Sequence, residues 1–182
     1  MPTVLTHPAV PLAIGLGLGR ELVAPRLMVA GVVASIVPDL DVIAFPLGIP
    51  YEAEFGHRGF SHSLLFAFGI AFLGTALLGH FRTRFRPAFM TLFASAASHG
   101  ILDAFTNGGL GIALFWPMSA ERFFAPVRMI EVSPLNLSSL LSQRGLDVLE
   151  SELLWVWLPC LFFGLLLRIA RIVFSIRQGQ PE

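Results

Sequence analysis

Residues 57–79 read HRGFSHSLLFAFGIAFLGTALLG. The first seven residues hold two histidines, one arginine and two serines, and the remainder carries no charged residue. A membrane helix needs about 20 apolar residues, with a range near 17–25. The run across 63–81 meets that length, so a membrane span with a reactive heptad at its mouth is the reading from which the rest follows.

The composition of the whole chain agrees. Of 182 residues, 55% are hydrophobic and 13% charged, against about 25% charged in an ordinary soluble domain. A water-soluble chain of this size has too little interior to hide that much apolar surface. There is no lysine, and all twelve basic residues are arginine. The formal net charge is zero, which leaves no electrostatic footprint for nucleic acid. The single cysteine, Cys160, lies in an apolar run and reads as a small core residue. The N-terminus lacks the basic region of a cleaved signal peptide. The expectation is one membrane-embedded domain over 1–182, an all-α integral membrane helical bundle.

Five apolar segments stand out, at about 8–24, 27–45, 63–81, 87–105 and 153–176, and the last three match the length of a span well. The first is short and glycine-rich. The second is interrupted by Pro38-Asp39-Leu40-Asp41. These two are either short spans or a re-entrant hairpin. If the segments alternate, one side receives Arg20, Arg26, Arg82, Arg84, Arg86, Arg168, Arg171 and Arg177, and the other receives Arg58, Arg122, Arg128 and Arg144. The positive-inside rule places the first side, with the C-terminus, in the cytoplasm. The 38–62 and 106–152 connections are then extracytoplasmic. The latter is long enough to carry structure. Its 115–130 part has a headgroup-region composition around Trp116, and 136–150 reads as a short amphipathic helix.

The metal-ligand residue types fall on that outer side. His7 precedes the first segment, Asp39 and Asp41 end the second, His57 and His62 open the third, and His99 and Asp103 end the fourth. His99 and Asp103 are four apart, so on a helix they share a face. His57 is placed in the loop and His62 near the helix start, with Ser61 or Ser63 as cap. Imidazole and carboxylate together suit Zn²⁺, with Mn²⁺ or Fe²⁺ as alternatives. The donors exceed one tetrahedral shell, which allows one ion or a two-metal site of hydrolytic type. Asp41 and His57 are either ligands or groups that orient them. Arg58 is a candidate phosphate clamp, or a surface partner of Glu52 or Glu54. His80 falls at the opposite end without an acidic neighbour and is not read as a ligand.

The stretches THPAVPLAIG, VPDLD, HRGFSHS, SHGILDAFTNGG, FWP and a late SPL together resemble the YdjM-like family of bacterial inner-membrane proteins. That resemblance spans about residues 5–135 and implies a multi-pass protein of the inner (cytoplasmic) membrane with a presumed metal-dependent hydrolytic site. The order His, Asp, His, H-x-x-x-D is also similar to the zinc-dependent phospholipase C and P1 nuclease group. Carried over, it makes His7, Asp39, His62, His99 and Asp103 ligands, with Asp103 the bridge between ions. No histidine follows His99, so that group's later ligands have no counterpart here. The expected function is hydrolysis of a phosphoester of a membrane lipid at the outer face, with Asp39 or Asp41 as base and Arg58 on the phosphate. A membrane metalloprotease or amidase, and a metal-ion or proton transporter, are the alternatives. Protease chemistry lacks its H-E-x-x-H motif. Oligomeric state is left open by the sequence.

Overall fold

The computed structural model describes residues 1–79, 84–134 and 137–178. Its regular elements are helical. They are α1 (Ala9–Leu22), α2 (Pro25–Ala34), α3 (Leu64–Gly79), α4 (Phe85–Ala104), α5 (Leu137–Leu140), α6 (Gln143–Glu152) and α7 (Leu158–Arg177). Each of the five apolar segments is helical, but among the described residues only two helical runs are long and apolar enough to cross a membrane, Pro25–Ala44 and Gln143–Arg177. α1 has 14 residues and α3 has 16, about 21 and 24 Å at 1.5 Å per residue, against about 30 Å of hydrocarbon. α4 has 20 residues, but buries Thr91, Ser95, Ser98, His99 and Asp103 among its alanines.

The PDLD interruption does not turn the chain away. Pro38 sits in the first turn of a 3-10 helix, Val37–Ala44, that prolongs α2. Proline is tolerated there because that turn's N–H groups have no helical partner in any case. A five-residue π turn, Leu153–Trp157, likewise welds α6 to α7. Ser63 caps α3, its Oγ accepting from the Phe66 N–H at 3.1 Å, and His62 lies in the 3-10 turn just before.

The long connection corrects the expectation of a helical segment in part. Its second half is helical, as α5 and α6, but residues 106–134 are irregular. Gly108, Gly109, Gly111, Pro117, Pro126 and Pro134 forbid a continuous helix there. This stretch folds back over the ends of α3 and α4 instead, through Leu64 N to Leu114 O, Ala113 N to Arg58 O and Ala125 N to Ala104 O, each 2.8–3.0 Å. His80 and residues 81–83, with Arg82, lie outside the described residues.

Packing is inverted relative to a soluble bundle. The core between α2, α3 and α4 is built largely of alanine, with Ala34, Ala67, Ala71, Ala88, Ala96 and Ala97 around Leu27 and Leu92. The bulky side chains of α3 and α7, among them Phe68, Phe72, Leu77, Phe162, Phe163 and Phe174, face outward. Small residues inside and large ones outside is how helices pack when lipid, not water, is the solvent. The close approach that alanine permits brings the polar ends of α2, α3 and α4 together.

Candidate metal centre

At that end the structure gathers His7, Asp39, His62, His99 and Asp103 into one buried cluster. Asp39, the least buried, is 6% exposed, and His7, His99 and Asp103 are 0%. Four of them, Asp39, His62, His99 and Asp103, offer ligand atoms that all lie within 4.8 Å of one another. The separations between Nε2 of His62 and Nε2 of His99 (3.0 Å), His99 Nε2 and Asp39 Oδ1 (3.3 Å), and His62 Nε2 and Asp103 Oδ2 (3.3 Å) are short and nearly equal. Four donors at 2.0–2.1 Å from a tetrahedral ion stand about 3.3 Å apart.

The proton inventory leaves this arrangement short of positive charge. His99 Nδ1 donates to the Ser35 carbonyl at 2.7 Å. His62 Nδ1 lies 3.2 Å from Asp41 Oδ2, so its proton is directed there. Both Nε2 atoms are then bare lone pairs, and they face each other. Two lone pairs at 3.0 Å repel unless something positive lies between or beside them. Both oxygens of Asp39 and of Asp103, and both nitrogens of His7, lack any hydrogen-bond partner. Buried polar atoms without partners are rare in folded proteins and mark an ion or a functional site. The donor set fits a divalent metal of the zinc, manganese or iron type.

His7 extends the site. Its ring stacks on that of His99 with centroids 3.7 Å apart. Its Nε2 is 3.7 Å from Asp39 Oδ2 and 3.8 Å from Asp103 Oδ1. Each carboxylate therefore presents one oxygen toward the His62–His99 pair and the other toward His7.

The remaining sequence candidates surround this cluster. Asp41 is saturated: Oδ1 meets His57 Nδ1 at 2.6 Å, and Oδ2 accepts from the Arg58 N–H at 3.0 Å and the Ser61 hydroxyl at 2.5 Å besides facing His62. These contacts hold the His57 and His62 rings on one carboxylate. His57, edge-on to Tyr51 at 5.2 Å, is held on Asp41. It belongs to a second possible donor group, Asp39, Asp41 and His57. Burial pushes the Tyr51 phenol up to about 12, so it stays protonated against the ring it packs on.

Arg58 is fully buried and pairs with neither Glu52 nor Glu54. Its Nε lies 3.0 Å from Asp103 Oδ2, Nη1 donates to the Gly108 carbonyl at 2.9 Å, and Nη2 to Thr106 Oγ1 at 3.2 Å. Its backbone is left-handed, with φ +63°, a strained setting for a non-glycine residue. Main-chain N on Asp41 and side chain on Asp103 hold it there, so one residue ties the two carboxylates together.

Sequence reasoning did not find Ser35, whose carbonyl sets the His99 tautomer, nor Thr106 and Gly108, which seat Arg58. It also missed the clasp beside His7. Glu152 is 1% exposed and accepts from the Thr3 backbone N–H, and from the Thr3 and Thr6 hydroxyls at 2.7 Å each, while Trp157 Nε1 donates to Thr6 Oγ1 at 3.2 Å. An acid directly before LLWVW was its only trace in the sequence. Glu131 has no part in the cluster. Hydrogen bonds from Asn107 and Arg144 hold its carboxyl below the usual range, and Arg144 Nη1 is 2.6 Å away.

With this geometry in hand, comparison with known proteins is informative. Residues 1–177 match the family model described as YdjM inner membrane protein. The chain is 48% identical over 169 residues to the inner membrane protein YbcI of Escherichia coli (strain K12), covering 91% of this chain and 97% of that one. No solved structure matches it.

Proposed function

The chain belongs to the YdjM family of inner membrane proteins, and on that premise we propose that its buried cluster is the metal centre of a membrane-embedded hydrolase. The observation that carries the reading is the facing pair of His62 and His99 Nε2 atoms, 3.0 Å apart with their Nδ1 protons committed elsewhere, beside two carboxylates that accept no hydrogen bond, Asp39 and the Arg58-paired Asp103. Asp39, His62, His99 and Asp103 would hold one ion. His7, with the outer oxygens of Asp39 and Asp103, would hold a second. A divalent cation there supplies Lewis acidity and a bound water ionisable near neutral pH.

The chain's own groups do the rest. Asp41 and the Ser35 carbonyl fix the two imidazole tautomers, as partners behind metal ligands do. Arg58 positions Asp103; it is a positioning residue, and direct contact with substrate is left to Asp39, the most exposed of the cluster. The substrate class follows from the setting. The donors crowd one end of four of the five helical segments in an inner-membrane protein, where lipid phosphoesters lie within reach. The arginine bias of the other ends supports an extracytoplasmic position for this face. Transport fits less well, because α3 and the first fourteen residues of α4 contain no histidine, cysteine or acid to continue a path.

The test is metal content by plasma mass spectrometry on detergent-purified protein, beside the His99→Ala/Asp103→Ala double variant, followed by phosphodiester and peptide reporters. About one to two zinc ions per chain, lost in the variant, with phosphodiester turnover, is the expected result. A metal-free wild type after zinc addition and removal of excess would overturn the metal centre. Peptide turnover alone would overturn the substrate class.

A further inference from the structure

At the far end of α1 from His7, the helix breaks at Gly19, whose φ is +72°. Arg171 of α7 crosses into that break and donates from Nη1 to the carbonyls of Gly17, at 3.3 Å, and Leu18. A side chain at Gly19 would collide with the Arg171 guanidinium. Beside this crossing is a cavity of about 350 Å³ whose polar walls are Arg20, Arg168, Arg171 and Glu21. Three arginines and one glutamate leave a net charge of +2. Glu21 is 3.8 Å from Arg171, with its side chain 81% exposed. Among the described residues no carboxylate is paired with Arg20 or Arg168.

A second cavity, of about 260 Å³, runs along the same α1–α7 seam between Val10, Ile14, Phe163 and Leu167. Ile14 adjoins Gly15 of the first cavity, and Leu167 adjoins Arg168. A cationic pocket thus opens beside an apolar slot on the surface of a helix long enough to cross a membrane. An inorganic anion would need only the first cavity; a molecule with an anionic head and an alkyl chain accounts for both.

We propose that the α1–α7 seam is a binding site for an anionic phospholipid, its phosphate among Arg20, Arg168 and Arg171 and one acyl chain along Val10, Ile14, Phe163 and Leu167. Basic pockets between membrane helices on the cytoplasmic side recognise anionic headgroups in this way. The headgroup pocket lies at the opposite end of α1 from the His7 cluster, and the proposal does not depend on that cluster.

The experiment is native mass spectrometry of the full chain in mild detergent, titrated with dioleoylphosphatidylglycerol and with dioleoylphosphatidylcholine, for wild type and Arg20→Gln/Arg168→Gln. Arg171 is left intact because it also supports the α1 break. Each arginine near an anionic group is worth about a factor of five. Phosphatidylglycerol is therefore expected to bind at least about tenfold more tightly than phosphatidylcholine, and to weaken about 10- to 30-fold in the double variant. Equal affinity of the wild type for the two lipids overturns the proposal without reference to any variant. So does unchanged phosphatidylglycerol affinity in a double variant with native circular dichroism. Displacement of the lipid by equimolar inorganic phosphate would show a free-anion site and overturn the lipid assignment.

Discussion

Gly100→Ala tests the architecture of the metal centre more sharply than removal of a ligand. Gly100 lies on α4 one residue after His99, and a Cβ there would stand 2.7 Å from the His62 carbonyl oxygen, where ordinary contact begins at 3.4 Å. The obstacle is backbone, so the 3-10 turn carrying His62 must retreat from α4 by about 0.7 Å, the difference between those distances. Metal sites tolerate about ±0.2 Å in ligand position, so the His62–His99 pair should open beyond what one ion can bridge. In an exposed helix the same substitution would stabilise by about 1 kcal/mol through propensity. Here overpacking of about 1–3 kcal/mol opposes it. Gly69→Ala on α3 is the control, since a Cβ there meets nothing within 4 Å. The assay is zinc affinity by chelator competition with thermal unfolding of each variant. Gly100→Ala should lose at least about tenfold in affinity and melt below Gly69→Ala. If the two variants match in both readouts, the close approach of α4 to His62 is wrong.

Other outcomes follow from the groups around the centre. Asp41→Asn should weaken zinc binding about 10- to 100-fold while leaving the helical circular dichroism unchanged, because Asp41 orients His62 rather than building a helix. Glu152→Leu leaves the Thr3 N–H and two hydroxyls without their acceptor and should destabilise by about 3 kcal/mol, read in thermal or denaturant unfolding. Glu131 has a depressed carboxyl, so its stabilisation is present above the ordinary carboxylate range and lost as pH falls through its folded value. Glu131→Gln should therefore melt slightly below wild type at pH 7, and the gap should close on acidification toward pH 3. A gap that widened with acid would reverse the sign of that linkage.

Much of the fold was legible because apolar runs announce their own lengths, and helices form at all five segments. The clustering of His7, Asp39, His62, His99 and Asp103 was legible too, since ionisable residues in such a chain are few and alternation of segments brings them to one end. What was not legible depended on distances that no spacing encodes. PDLD read as an interruption of the second segment, because proline and aspartate are ordinary turn residues, yet within the first turn of a 3-10 helix they prolong α2. Arg58 read as a phosphate clamp or a surface partner of Glu52 or Glu54, and nothing in HRGFSHS says that its backbone turns left-handed and carries the side chain inward to Asp103. The 115–130 segment was read from its aromatics as lying in the headgroup region, but nothing in the sequence signalled that the residues before it, Thr106 and Gly108, seat Arg58.

The Thr3–Thr6–Glu152 clasp has a consequence for how the protein is made. Its partners are 146 and 149 residues apart, and ribosomes add about 5–20 residues per second. The N-terminal threonines therefore leave the ribosome about 7–30 s before the glutamate that will hold them. For about the first two thirds of that interval His7 has neither Asp103 nor the last helix to meet it. The proposed ion pocket is thus assembled from both ends of the message, and final closure belongs to the arrival of α6 and α7. A nascent chain stalled before residue 152 should expose His7 to solvent-borne reagents, and release of the stalled chain should end that exposure.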